Sequence, residues 1–241
     1  MKTTDPLKHI IERGGEYIGS GARNDVFRAN VRVIVDDKRR DITMAFRRPK
    51  NAVAIRKLYD EAKRWEMLMD AGIPVAHTTY RLNDTGTAVC CTDITRGGTQ
   101  YVFSDTNRTA DDAEWEERIE RCEIIGKVPN GPQALMELSE IAIQCARKGC
   151  EFMTEDAFYF VIDKKSLVIK PSIGDYKHVV DTQQDPLETA INNLDVARNA
   201  VVPRHSVFGL SKEEIKEFFD SRQIDVLAEI LELEQAAILS A

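Results

Sequence analysis

The sequence predicts an α+β chain in two parts: a small lobe of antiparallel strands carrying one helix, then a mainly helical lobe with a short β-hairpin. Three observations lead there. Apolar residues alternate at period two around Val31, Val33 and Val35. They recur at three and four residues between Ala52 and Asp70. Beyond the connector Thr95-Arg96-Gly97-Gly98 the helical period dominates. The 241 residues suit one large domain or two small lobes with a sizeable core. The expected division is 1–96 and 97–241, together one bilobal domain.

Asp5 as N-cap, Pro6 at the first helical position and Gly14 as stop predict a short opening helix. Tyr17-Ile18 and Val26 to Val35 read as strands joined by a glycine loop, and Asp36-Asp37-Lys38 turns into a third strand, Asp41 to Phe46. The helix Ala52 to Asp70 presents Ile55, Leu58, Ala62, Trp65 and Leu68-Met69 on one face and stops at Gly72, with Pro74 beyond it. Strands follow near His77 to Leu82 and Thr87 to Cys91, around the turn Asn83-Asp84-Thr85-Gly86. After the connector, helices are expected over Asp111 to Ile125 (Trp115, Ile119, Cys122) and Pro132 to Lys148 (Leu135, Leu138, Ile141-Ala142, Cys145), the second ended by Gly149. A hairpin, Phe158 to Ile162 and Leu167 to Ile169, turns at Asp163-Lys164-Lys165-Ser166. Three more helices cover Pro186 to Ala200, Lys212 to Asp220 and Ile224 to Leu239, with Ser211 and Glu214 forming a capping box.

Composition excludes several classes. The 43% apolar and 30% charged content is that of a soluble globular protein, and the net charge of −7 argues against general nucleic-acid binding. No apolar run has membrane-spanning length, and MKTTDPLKHIIERGG lacks a signal-peptide core. The five cysteines (90, 91, 122, 145 and 150) include no CxxC, so neither a disulfide framework nor a zinc site is supported, and a reducing cytoplasm is expected. The four histidines have no metal-ligand spacing.

The stretch IGSGARNDVFRA, Ile18 to Ala29, places two glycines between two strands, not between a strand and a helix. A glycine-rich hairpin over nucleotide phosphates is the protein-kinase arrangement. On this and the motifs that follow, the chain resembles the protein-kinase-like superfamily over most of its length. Gly19-x-Gly21-x-x-x-x-Val26 matches the loop spacing, with Asn24 where a third glycine is usual. Met44-Ala45-Phe46-Arg47 is similar to the VAIK strand, with Arg47 in place of lysine. Glu61, opening EAKRWEMLMDAGIPV, resembles the helix glutamate that pairs with that lysine. Val89 to Gly98 resembles the last strand running into the hinge. The resemblance implies that Gly19, Gly21, Val26, Ala45, Arg47 and Glu61 bind nucleotide. It makes Cys91 a gatekeeper and has the Thr92 to Ile94 backbone pair with adenine. Taken singly, Glu61 also fits a solvated helix position, Cys91 a core position and the Asp41 strand an edge.

The catalytic end departs from the pattern. Counting from Gly149, the family's HRD triplet falls on Phe152-Met153-Thr154, its metal-binding asparagine on Tyr159 and its DFG on Ser172-Ile173-Gly174. Thr154 is no base near neutral pH, and Tyr159 and Ser172 are weak ligands for magnesium, which needs hard anionic oxygens. Phosphoryl transfer rests on positioning and charge neutralisation, so these replacements imply a pseudokinase. Such a protein holds ATP or a related nucleotide in the interlobe cleft, largely without magnesium, and acts by regulating a protein partner. In a second register, Asp156 is the base and Asp175 the metal ligand of an active phosphotransferase; Asp175-Tyr176 then begins the DFG, and Val161 replaces the asparagine. A third reading is a nucleotide-free scaffold whose cleft is filled by Phe152, Met153 and Tyr159. The basic run Arg39-Arg40, Arg47-Arg48, Lys50 and Arg56-Lys57 reads as an anion-binding surface or as solvated charge, and the last helix docks a partner or packs on its own lobe. No APE-like triplet follows Gly174, which favours a compact relative without a peptide-substrate platform.

Overall fold

The computed structural model describes residues 15–20, 23–35, 38–82, 87–96, 98–104 and 127–239. The expected helices at Asp5 and Asp111, the turns at Asp36-Asp37 and Asn83 to Gly86, and Gly21, Gly97 and Cys122 lie outside the described residues. The chain divides into two compact units. One is Met1–Asp70 with Val75–Gln100; the other is Ala71–Pro74 with Tyr101–Ala241.

The first unit is an antiparallel sheet of β1 (Glu16–Ser20), β2 (Asn24–Val35), β3 (Lys38–Pro49), β4 (Tyr80–Leu82) and β5 (Val89–Thr92), in the order β1-β2-β3-β5-β4. The helix α1 (Ala52–Asp70) joins β3 to β4. β2 and β3 pair continuously from Asn24 opposite Pro49 to Val35 opposite Lys38, so β3 runs beyond Asp41 to Phe46 at both ends. Unbroken backbone pairing carries the polar residues that hydropathy alone leaves out. Met44, Phe46, Ala88 and Cys90 form a core cluster with Phe27 against it. Asn51 opens α1, its Oδ1 accepting the Ala54 amide at 2.9 Å, and Ala54, Leu58 and Leu68 form its buried face. Gly72 ends the helix at φ 73°, the left-handed conformation that glycine adopts without strain. β4 starts at Tyr80, not at His77. The Thr79 amide bonds the Thr92 hydroxyl at 2.9 Å, which diverts it from a ladder carbonyl.

The second unit holds two small sheets. β6 (Gln100–Ser104), β8 (Phe158–Asp163) and β9 (Ile169–Ile173) form one, in the order β6-β8-β9; β7 (Cys150–Phe152) and β10 (Val179–Asp181) form the other. Its helices are α2 (Gly131–Arg147), α3 (Pro186–Val201), α4 (His205–Phe208) and α5 (Lys212–Leu239). The buried core includes Leu135, Leu138, Phe158, Phe160, Leu194, Phe208 and Phe219. The hairpin arms differ from expectation. Asp163 Oδ1 accepts the Lys165 and Ser166 amides, and Leu167 is left-handed at φ 55°, so the second arm begins at Ile169. The two helices expected after Lys212 are one, with the Ser211–Glu214 box at its start. Among the described residues, no helix is long and apolar enough to cross a membrane.

Candidate functional site

Each unit carries its own polar cluster, and the sequence-predicted residues divide between them. In the first, β3 presents Arg47 and α1 presents Glu61 from its buried face. Arg47 Nη1 lies 3.1 Å from Glu61 Oε2, with the Glu61 side chain 4% exposed and that of Arg47 25%. The Tyr80 hydroxyl on β4 completes a triangle: it donates to Glu61 Oε2 at 2.7 Å and accepts from Arg47 Nη1. A buried ion pair needs such extra hydrogen bonds to offset desolvation. Burial pushes the Tyr80 phenol well above its usual range. Arg47 opposes this, and Glu61 reinforces it. Tyr80 went unnoticed in the sequence; a glutamate and an arginine directed to one core demand a third polar partner, and that is the signal that could have found it.

Cys91 is buried on β5, its thiol directed to the Ala45 carbonyl at 3.5 Å, and burial pushes it up to about 12. Ala45 and Arg47 pair with Cys91 and Val89 on one side and with Arg28 and Val26 on the other. Val26 also faces Gly19 on β1, where an added Cβ meets nothing within 4 Å. Thr92, on the strand expected to run into the hinge, makes intrachain contacts through its backbone. Its amide donates to the Thr79 carbonyl at 3.0 Å and its own carbonyl faces His77 Nδ1 at 3.2 Å. Ile94 is half-buried in the turn after β5. The buried Asp93 braces that turn, accepting the Thr95 amide at 3.0 Å and pairing with Arg28 at 3.1 Å.

The second cluster gathers residues of both catalytic registers. Thr154 precedes the 3-10 turn Glu155–Ala157, and Asp175 precedes the turn Tyr176–His178. The Gly174 amide donates to the Ala157 carbonyl at 2.9 Å, which holds Asp175 beside the first turn. His178 is the centre, a residue that sequence spacing did not flag. Its Nδ1 lies 3.1 Å from Thr154 Oγ1, and its Nε2 lies 3.6 Å from Asp156 Oδ2 and 3.8 Å from Asp175 Oδ2. Asp175 is 8% exposed at its side chain; Oδ2 pairs with Lys177 Nζ at 2.7 Å, and the buried Oδ1 has no hydrogen-bond partner. Tyr159 and Ser172 stand opposite each other in the β8–β9 ladder. The Ser172 hydroxyl donates to the Tyr159 carbonyl at 3.3 Å, and the Tyr159 ring covers Gly174 so closely that an added Cβ would lie 2.1 Å from it. The structure therefore brings Thr154, Asp156 and Asp175 together through His178. Ser172 and Tyr159 are taken up in the hairpin.

No protein-family model matches the chain, and no curated protein matches it. A solved structure similar to it is that of the Helicobacter pylori proinflammatory kinase CtkA, at a TM-score of 0.40 and 12% identity. The alignment covers 76% of this chain and 64% of that one, so the chain spans less than two thirds of that protein's length.

Proposed function

We infer that this chain is a kinase-like nucleotide-binding protein with little phosphoryl transfer to other molecules, acting through regulation of a protein partner. The observation that carries the reading is the Arg47–Glu61 pair, strand to helix, on the two residues that motif spacing had joined. A guanidinium fixed by a buried carboxylate and a phenol keeps a preset direction, and arginine recognises phosphate oxygens through paired N–H donors. The Lys177–Asp175 contact supports weak transfer. A carboxylate already neutralised by an ammonium group at 2.7 Å is a poorer ligand for magnesium, which requires anionic oxygen at close range.

Thermal unfolding with ATP, with and without magnesium, tests this. The expected result is stabilisation by ATP in the presence of a chelator, lost in Arg47→Ala. Stabilisation strictly dependent on magnesium would overturn the reading. A second reading is favoured by one observation: Asp156 and Asp175 both approach the same imidazole nitrogen. In it the chain is an active phosphotransferase with Asp156 as base and Asp175 as metal ligand. Magnesium-dependent turnover abolished by Asp175→Asn would establish that reading.

A further inference from the structure

We propose that the outward face of α5 is a docking surface for a basic amphipathic helix of a partner protein. The proposal rests on the partner half of the function above and deepens it: it names the surface and the chemistry that fits it.

α5 is apolar on two sides. Ile215, Phe219 and Val226 are buried on the inward one. Arg222 and Gln223 fix that side against α2 and α3, through Glu140 and Asp195. Spacings of three, four and seven residues keep side chains on one side of a helix. By that spacing Ile224, Leu227 and Leu231 share the opposite side, with 66%, 46% and 58% of their surfaces exposed. A helix that packs on one face is ordinarily polar on the other. Packing within the unit accounts for the first stripe and leaves the second in water. Three large apolar side chains at this spacing have the form of anchors for a second helix.

Charge decides among the occupants. Glu217 and Asp220 lie seven and four residues before Ile224, on the same side, and Asp225 and Glu232 border the stripe. Asp220 and Asp225 meet Arg198 and Arg222, yet 60% and 61% of their side chains stay exposed. Glu217 and Glu232 are exposed as well. From Lys212 to Glu232 the helix carries seven carboxylates against three cations. A second copy would set like charges against each other along the stripe, and an anionic lipid surface would repel it. A partner helix with apolar residues at the matching spacing and lysine or arginine beside them complements both the stripe and its border.

Fluorescence anisotropy on the full-length chain tests this with synthetic peptides of about 20 residues, long enough for a helix. One carries leucines at helical spacing flanked by lysines, another the same leucines flanked by glutamates, and a third the lysine peptide in shuffled order. The lysine peptide alone is expected to bind, and more weakly as salt rises. Ile224→Gln and Leu227→Gln should each weaken it by about tenfold or more, the effect of one lost buried side chain. Their urea unfolding should match wild type, because both positions are exposed. Val53→Gln, at an exposed apolar position of the first unit, should leave binding unchanged. Joint Glu217→Lys and Glu232→Lys should exchange the lysine peptide for the glutamate one. No binding of the lysine peptide overturns the proposal, and so does equal binding of the shuffled one. Binding that survives Ile224→Gln and Leu227→Gln overturns this surface and leaves a protein partner standing. A dimer dissolved by either variant gives the stripe to a second copy, and binding to phosphatidylserine vesicles gives it to a membrane; each overturns the proposal. ATP-induced stabilisation, followed in the same samples, reports separately on the nucleotide half of the function.

Discussion

Asn193 joins three segments with one amide. Its Oδ1 accepts the Phe152 amide at 2.8 Å, and its Nδ2 donates to the carbonyls of Ala142 and Cys150 at 3.1 and 3.0 Å. The residue is wholly buried, and without it the Phe152 amide loses this acceptor. Asn193→Ala is expected to cost about 1–3 kcal/mol in urea unfolding, the cost of leaving a buried polar group without its partner. Tyr80→Phe should cost less, about 1–2 kcal/mol, because the Arg47–Glu61 pair survives the loss of the hydroxyl. Cys91 carries a pH prediction. Its thiol is shifted from an ordinary 9.0 to about 12 by burial. Below the lower value both folded and unfolded chains hold the proton, and the shift leaves stability unchanged. Above it the unfolded chain ionises first, so stability falls by ~1.4 kcal/mol per pH unit until the folded thiol also ionises. Cys145 is raised by burial as well, so the measurement is a difference: Cys91→Ala should lose stability less steeply than wild type as pH rises from the ordinary thiol value toward 12. Equal slopes would show that Cys91 does not stay protonated in the folded chain.

At the scale of elements, legibility followed the range of the forces involved. The helices α1 and α2 were readable because their apolar periods and glycine stops are local, and α2 differs from its expected span by one residue at each end. The strands β7 and β10 were not readable. Each has three residues, and their extended form exists only through mutual pairing of segments far apart in sequence. α5 is expected as two helices, Lys212 to Asp220 and Ile224 to Leu239, with the polar residues Ser221, Arg222 and Gln223 between them. In the structure, Arg222 reaches Ser139 and Glu140 of α2, and Gln223 reaches Ile191 and Asp195 of α3. These side chains pin the middle of one helix; they do not interrupt it. The same limit governed the site. Arg47 and Glu61 could be joined by motif spacing, but His178 gathers its partners only once the β7–β10 ladder exists. Gly131 at the start of α2 shows packing of the unreadable kind. A Cβ there would stand 2.0 Å from the Phe208 carbonyl oxygen, a backbone atom that cannot swing aside. Gly131→Ala should destabilise the chain by about 3 kcal/mol through overpacking, measured by urea unfolding, although alanine is the better helix former.

On the scale of the whole molecule, the division into units does not follow a single cut. The sequence places a boundary at residue 96, whereas the first unit runs on to Gln100 and the short segment Ala71–Pro74 belongs to the second. That segment is built into the second unit's core: Ile73 is 2% exposed, and the Pro74 carbonyl accepts the Ile173 amide at 3.0 Å, at the end of β9. β9 leads directly through Gly174 to Asp175, so a stretch that follows α1 in sequence helps to place the carboxylate of the second cluster. A fragment beginning at Tyr101 lacks both contacts and should be less stable than the same residues within the full chain. Ile73→Ala tests the link without truncation. Emptying a buried isoleucine site costs about 2–5 kcal/mol, and the loss should be local to one unit. Hydrogen exchange should accelerate at the Ile173 amide and its β9 neighbours while the Arg47 amide of β3 keeps its protection. Faster exchange at Arg47 with Ile173 unchanged would place Ile73 energetically in the first unit and refute the division.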